Sequence, residues 1–213
     1  MKISSEYVLN YPKKEIEELL TALSPHGFHT RLNKRQRIIT KNNHGGNIFY
    51  IITRGYVSYR YNENGIVVTY AFPNSLIGVF NFFNEQHIGF FYAETEVDVI
   101  CIDMDKFNEV FSTNSHLWRN LSVYMSYMCQ KLLARDLKIN SKNAYKTVKS
   151  LIIEFNELPE KIRQTVSVSF YILERTHLAR STVMHLLSQL QKGGYITIEK
   201  GMLINLSKLP QDF

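Results

Sequence analysis

Apolar residues recur at helical spacing near both ends of the chain and alternate with polar ones in the stretch between. In "PKKEIEELLTAL" (12–23), Ile16, Leu19, Leu20 and Leu23 fall on one helical face behind an early proline, and "SPHG" ends the predicted helix. From Phe28 to Asp103 the pattern shortens into β-rich pieces separated by turn residues. "NIFYIITRGYVSYRYNENGIVVTYAF" reads as two such pieces joined by Asn62-Glu63-Asn64-Gly65, whose Asn-Gly pair can supply the positive φ angles of a tight hairpin. "NHGG" before it and "FPNS" after it mark further turns. "YAETEVDVICID" alternates Val97, Val99 and Cys101 with Glu96, Asp98 and Ile100, a strand with one drier face. Short strands at this pace predict a sandwich or barrel-like roll.

Helical spacing returns from about Asn114 to Asn140. Trp118, Leu121, Met125, Met128 and Leu132 recur at intervals of 3, 4, 3 and 4, a narrow apolar seam. Such a seam suits a partner helix, and equally a helix packed on its own domain. A further helix is predicted over Asn143–Glu157, with Val148, Leu151, Ile152 and Phe155 on one face and Pro159 behind it. "YILERTHLARSTVMHLLSQLQKGGYI" then reads as helix, sharp turn, helix. Ile172 and Leu173 would pack the first helix, and Leu178 would plug the turn. Val183, Leu186, Leu187 and Leu190 form the apolar face of the second. Its opposite face carries Ser181, His185, Ser188 and Lys192, with Arg180 at the helix start. "GGYITIEKGMLINL" reads as a two-stranded wing turning at Lys200-Gly201.

Charge sharpens this picture. From Ser141 to Phe213 there are 10 Lys/Arg against 6 Asp/Glu, so a net excess of cations falls on the C-terminal third of a chain whose net charge is +6. No acidic side chain lies between Ala179 and Ile198. A helix face of hydroxyls, imidazole and cations without carboxylates suits a groove lined by phosphates and base-edge acceptors. Cys101 and Cys129 are the only cysteines; two thiols give no disulfide framework and no zinc spacing, and both read as small buried hydrophobes. No apolar run is long enough to span a bilayer and no secretion signal opens the chain, so a cytoplasmic protein with no membrane partner is expected. Enzyme chemistry finds no foothold: His26, His29 and His44 do not form a cupin metal pattern, and no nucleophile–base set or phosphate-cradling loop is visible.

At this point a resemblance is plain. "THLARSTVMHLLSQLQKGGYI" is similar to the winged helix-turn-helix of the CRP/FNR family of bacterial transcription regulators. "NIFYIITRGYVSYRYNENG…FPNSLIGVF" resembles that family's cyclic-nucleotide-binding-type β-roll, and "NSHLWRNLSVYMSYMCQKLL" its long dimerisation helix. Within the family, the chain resembles divergent enterobacterial regulators of the IprA type. The resemblance implies an α+β chain: a β-roll over 1–112, a dimerisation helix over 113–140, and a winged helix-turn-helix over 141–213. It implies a homodimer joined along Trp118, Leu121, Met125, Met128 and Leu132. Double-stranded DNA would be read by Arg180, Ser181, Thr182, His185, Ser188 and Lys192, with RNA polymerase as a further partner. The alternative is a winged-helix interaction module that acts on the transcription machinery without reading DNA.

The departures from the family pattern carry equal weight. Ala179 stands where the family has a Ser cap, which costs about 1 kcal/mol of helix stability. His177 replaces the usual turn Gly. Of the base-reading pattern of the cAMP-dependent members only Arg180 is retained, with Ser181 and His185 in the other two places. In the roll Gly78 is kept, but Val79 replaces the ribose-binding carboxylate, and His87 and Ile88 replace the phosphate-binding Arg-Ser. Lys131 replaces the dimer-helix hydroxyl that meets the base. A branched alkyl cannot accept a hydroxyl, and losing a bidentate cation forfeits the strongest phosphate contact. The expectation is a roll that binds no cAMP in the usual manner, no cofactor and no metal. Phe80, Phe82, Phe83, Phe90, Phe91 and Tyr92 would fill the vacated site as core or line an apolar-ligand pocket. His87 is a lone histidine, expected in solvent or hydrogen-bonded rather than ligating a metal or haem. The iron–sulfur mode of sensing needs an N-terminal Cys cluster, which the first 100 residues lack.

Overall fold

A computed structural model describes residues 10–42, 45–63, 65–81, 88–139 and 143–211. The chain forms two compact units, Met1–Leu132 and Leu133–Phe213. The first holds two four-stranded sheets. One has the order β1 (Phe28–Leu32), β8 (Val97–Asp103), β3 (Ile48–Arg54), β6 (Leu76–Ile77); the other has β2 (Arg37–Ile38), β7 (Phe90–Ala93), β4 (Val57–Arg60), β5 (Val67–Ala71). Helices α1 (Lys13–Leu23), α2 (Met104–Thr113) and the start of α3 (His116–Ile139) contribute the rest of the core.

The first sheet is buried on both faces, and strand alternation divides its side chains between two cores. Tyr50, Ile52, Ile77, Val97, Val99 and Cys101 point toward the second sheet, where they meet Ile38, Val57, Phe91 and Ala93. Phe49, Ile51, Leu76, Ile100 and Ile102 point the other way, onto Ile16, Leu19, Leu23, Phe107, Phe111, Leu117 and Leu121. The face of β8 expected to be wetter is thus wet only as far as Asp98, because Ile100 and Ile102 lie under helices. The sequence pattern does not separate out helix α2. Its signals are Asp103, whose carboxylate caps the helix by accepting from the Lys106 amide at 2.8 Å, and Phe107, Val110 and Phe111 on one side.

The predicted first strand piece of the central run breaks in two. Residues 48–54 pair with β8 and β6, whereas 57–60 pair with β5 and β7 in the other sheet. The switch occurs at Gly55, with φ +80°, where a Cβ would collide with the Glu96 carbonyl. Only a glycine can make that corner. The second piece does return through the Asn62 turn, closed by the Gly65 amide donating to the Asn62 carbonyl at 3.0 Å. Asn64, and with it the proposed Asn-Gly geometry, lies outside the described residues.

Helix α3 buries part of the predicted seam within its own unit. Leu117, Leu121, Tyr124 and Met128 are buried against the chain's own roll, and the Tyr124 hydroxyl donates to the Leu76 carbonyl at 2.9 Å. Leu121 and Met128, expected to meet a partner, are therefore already covered within their own chain. Cys129, expected buried, is exposed. Leu121→Ala should cost about 2–5 kcal/mol of stability, as deletion of a core leucine does. Urea unfolding should show the same loss at every protein concentration, since the contacts removed are intrachain.

Candidate nucleic-acid interface

The second unit contains α4 (Ala144–Glu157), a short α5 (Glu160–Arg163), α6 (Val168–Arg175), α7 (Arg180–Lys192) and the wing strands β9 (Ile196–Glu199) and β10 (Met202–Leu206). Ser167 starts α6 by accepting from the Phe170 amide at 3.2 Å, an N-cap. Thr176 ends it, its hydroxyl donating back to the Ile172 carbonyl at 2.9 Å. The same oxygen accepts from the Leu178 amide at 3.4 Å. This hydroxyl shapes the connection, and His177 needs no left-handed backbone to replace the glycine. Leu178 is half-buried rather than a buried plug; the buried residues at this corner are Arg175 and Thr176.

Helix α7 packs through Val183, Leu187 and Leu190, with Leu186 half-buried beside them. Arg180, Ser181, His185, Ser188 and Lys192 are all exposed, and Thr182 is half-buried. These six stand on one helix with no carboxylate among them. Ala179 is the N-cap and offers no side-chain bond. At the far end Gly194, with φ +72°, follows the helix, and the Tyr195 amide closes the turn on the Leu190 carbonyl at 3.0 Å.

The wing turns at Lys200 and Gly201, both at positive φ (+50° and +86°), which gives the twist a two-residue hairpin requires. Its tip is fixed to the start of α6: the Val168 amide donates to the Gly201 carbonyl at 3.0 Å. The wing tip and the start of α6 are therefore joined through the backbone.

The same unit holds a buried charge pair that the sequence pattern does not single out. Arg175, at the end of α6, forms an ion pair with Glu154 of α4 at 2.8 Å, and its side chain is only 6% exposed. Burial pushes the Glu154 carboxyl up, but Arg175, Lys138 and the Tyr171 hydroxyl outweigh it and hold the group below its ordinary range. A carboxylate depressed in the folded state stabilises above its unfolded pKa, and that contribution is lost as pH falls through the lowered value. The available signal was a lone glutamate inside the apolar run "LIIEF".

In the roll, Tyr59, Phe80, Phe90 and Phe91 line a cavity of about 240 Å³ with Ile38, Ile39 and Thr40, and Arg37 and Lys41 at its edge. The aromatic expectation holds for Phe80 and Phe91, both packed against the core between the sheets. Phe90 lines the cavity outside that core, with the Arg37 guanidinium 3.8 Å from its ring, and Tyr92 is not in the lining. Val79 is buried and Ile88 exposed; Phe82, Phe83 and His87 lie outside the described residues. Cys101 sits in the core between the sheets, where burial pushes its thiol up to about 11 against a smaller opposing effect of its hydrogen bond with Tyr50. Among the described residues no group of three His, Cys, Asp or Glu could hold a metal, and no helix is long and apolar enough to cross a membrane.

Residues 29–114 match the family described as "Cyclic nucleotide-binding domain", and 144–211 match "Winged helix-turn-helix DNA binding". The protein named "Inhibitor of hydrogen peroxide resistance" from Escherichia coli K12 is 23% identical over 212 residues, covering 95% of this chain and 97% of that one. The c-di-GMP responsive global regulator CLP of Xanthomonas campestris shares the fold with a TM-score of 0.69 at 14% identity, over 92% of this chain and 100% of that one. A CRP/FNR-family transcriptional regulator from Thermus thermophilus aligns with a TM-score of 0.59 at 16% identity, over 84% and 94% of the two chains.

Two outcomes follow from this geometry. Ala179→Ser should add about 1 kcal/mol of stability by supplying the missing cap, read from the urea midpoint. Alkylation at pH 8 should leave Cys101 unmodified in the folded protein and label it after unfolding in urea, since the thiolate is the reacting form and burial disfavours it.

Proposed function

We propose that this chain, which belongs to the CRP/FNR family of transcription regulators, reads duplex DNA as a homodimer and holds no cyclic nucleotide in the usual manner. The observation that carries this reading is the exposed, acid-free face of α7. Arg180 and His185 face base edges in the major groove, where guanidinium pairs with the two acceptors of guanine. Thr182 and Lys192 hold phosphates, and Ser181 and Ser188 complete the polar contact face.

The dimer is supported by what α3 leaves uncovered. With Leu121 and Met128 turned into the chain's own core, the seam available to a second copy moves one position along. Its exposed positions are Ser122, Cys129, Leu133 and the outer part of Trp118, whose ring packs edge-on against Phe111, while Met125 is half-buried against the roll's own core. Trp118, Met125 and Leu132 of the expected seam remain at or beside this stripe. Two α7 helices related by such a dimer would enter successive major grooves about 34 Å apart and read a near-palindromic site.

Against cyclic nucleotide binding stand Val79 and Ile88. One side chain is buried among apolar residues where a carboxylate is needed, and the other is an exposed alkyl where a phosphate would sit. The name of the E. coli relative makes peroxide-response promoters the first place to look for target sites.

Arg180→Ala should reduce the preference for the selected site over scrambled DNA by about tenfold or more, measured by gel shift or anisotropy against duplex selected from a random pool. The wild-type affinity should fall steeply with salt, by about 0.9 in log units per phosphate contacted for each decade of salt. Salt-independent binding to a protein of the transcription machinery, with no selected DNA, would support the interaction-module reading instead. Calorimetry should show no tight uptake of cAMP.

A further inference from the structure

Glu154 sits on α4 among Leu151, Ile152 and Phe155, yet its carboxylate is fully engaged. One oxygen accepts from Arg175 Nη2 at 2.8 Å and from the Tyr171 hydroxyl at 2.8 Å. The other accepts from Lys138 Nζ at 3.2 Å. The donors come from two other helices: Tyr171 and Arg175 from α6, Lys138 from the last turn of α3. A second bond joins the same elements, for the Thr147 hydroxyl of α4 donates to the Lys138 carbonyl at 3.3 Å. One carboxylate thus ties the end of the long helix to the first helix of the helix-turn-helix.

The two ties differ in kind. Arg175 is almost wholly buried, its guanidinium 5.1 Å above the Tyr171 ring, and releasing it would strand a charge away from water. The Lys138 side chain is 42% exposed, so water can replace Glu154 as its partner at little cost. The α6 tie is therefore permanent and the α3 tie exchangeable. Beyond Arg175 the chain has little slack. Four residues, 176–179, reach α7, and the Thr176 hydroxyl ties them back to the Ile172 carbonyl and on to the Leu178 amide.

We propose that Glu154 and Lys138 are positioning residues: their bond sets how the α6–α7 pair is held against the end of α3, and so how Arg180 and His185 are presented, without either residue touching nucleic acid. This rests on the reading of α7 as the DNA-reading helix. Lys138 is the releasable half of the tie, and a shift of the end of α3 would be felt at α7 through it.

Full-length Lys138→Met and Glu154→Gln proteins test this, with Lys138→Arg as the conservative control. The probes are the duplex that the unaltered protein selects from a random-sequence pool and a scrambled duplex of equal length. Lys138→Met should keep the wild-type urea midpoint and the wild-type affinity for scrambled DNA. Its preference for the selected duplex should fall about fivefold or more, within the usual span of coupling between sites. Lys138→Arg should restore that preference. Amide exchange without DNA should quicken over 133–139 in Lys138→Met and stay slow across α6. Unchanged preference with unchanged exchange would overturn the proposal, as would equal losses on both duplexes that follow a drop in folded fraction. If Glu154→Gln does not fold, Lys138→Met carries the test alone. If the unaltered protein selects no sequence, the DNA reading fails, and exchange over 133–139 still decides whether the tie exists.

Discussion

Helix α3 can turn a given stripe of its surface to only one neighbour, and the roll claims one first. Leu117, Leu121, Tyr124 and Met128 recur at intervals of 4, 3 and 4 and are all buried in their own unit. The Tyr124 hydroxyl, bonded to the Leu76 carbonyl, fixes the rotation of the helix on the sheet. Once that rotation is set, what the helix presents to anything else is settled. Ser122 and Cys129 are left exposed on it, whereas Met125 is half-buried against the unit's own core and the Trp118 ring packs edge-on against Phe111 at 4.7 Å.

The same economy governs the sheet beneath. β8, β3 and β6 each feed two cores through alternate residues, so a one-residue slip in any of them would exchange both sets at once. Pairing of Phe49 with Ile102 and of Ile51 with Ile100 keeps the helix-facing set in register. Gly55 lets the next strand leave for the second sheet. Tyr59, Phe80 and Phe91 pack beside the core between the sheets and line a modest cavity there.

In the second unit the polar groups do the positioning and the apolar ones do the packing. Val183, Leu187 and Leu190 hold α7 down; Ser167, Thr176 and the wing tip at Gly201 fix where α6 begins and ends. The Arg175–Glu154 pair is the most buried charge interaction described in the unit. Replacing either partner alone would strand the other away from water, at a cost of about 3–5 kcal/mol.

Much of this was legible in the sequence, for a physical reason that recurs. Period and punctuation revealed α1, α4, α6, α7 and the wing, because each buries a continuous stripe and stops at a residue that cannot continue it. The exposed, acid-free face of α7 was visible for the same reason: 100° per residue assigns the polar side once the apolar side is known. What the sequence left open is which of two adjacent stripes on α3 faces inward, since Leu121 and Met128 fit a seam as well as a core. It also left open where 48–60 changes sheets and which charges meet, because Lys138, Glu154 and Arg175 are distant along the chain. Local pattern determines which residues share a face, whereas only packing decides what that face meets.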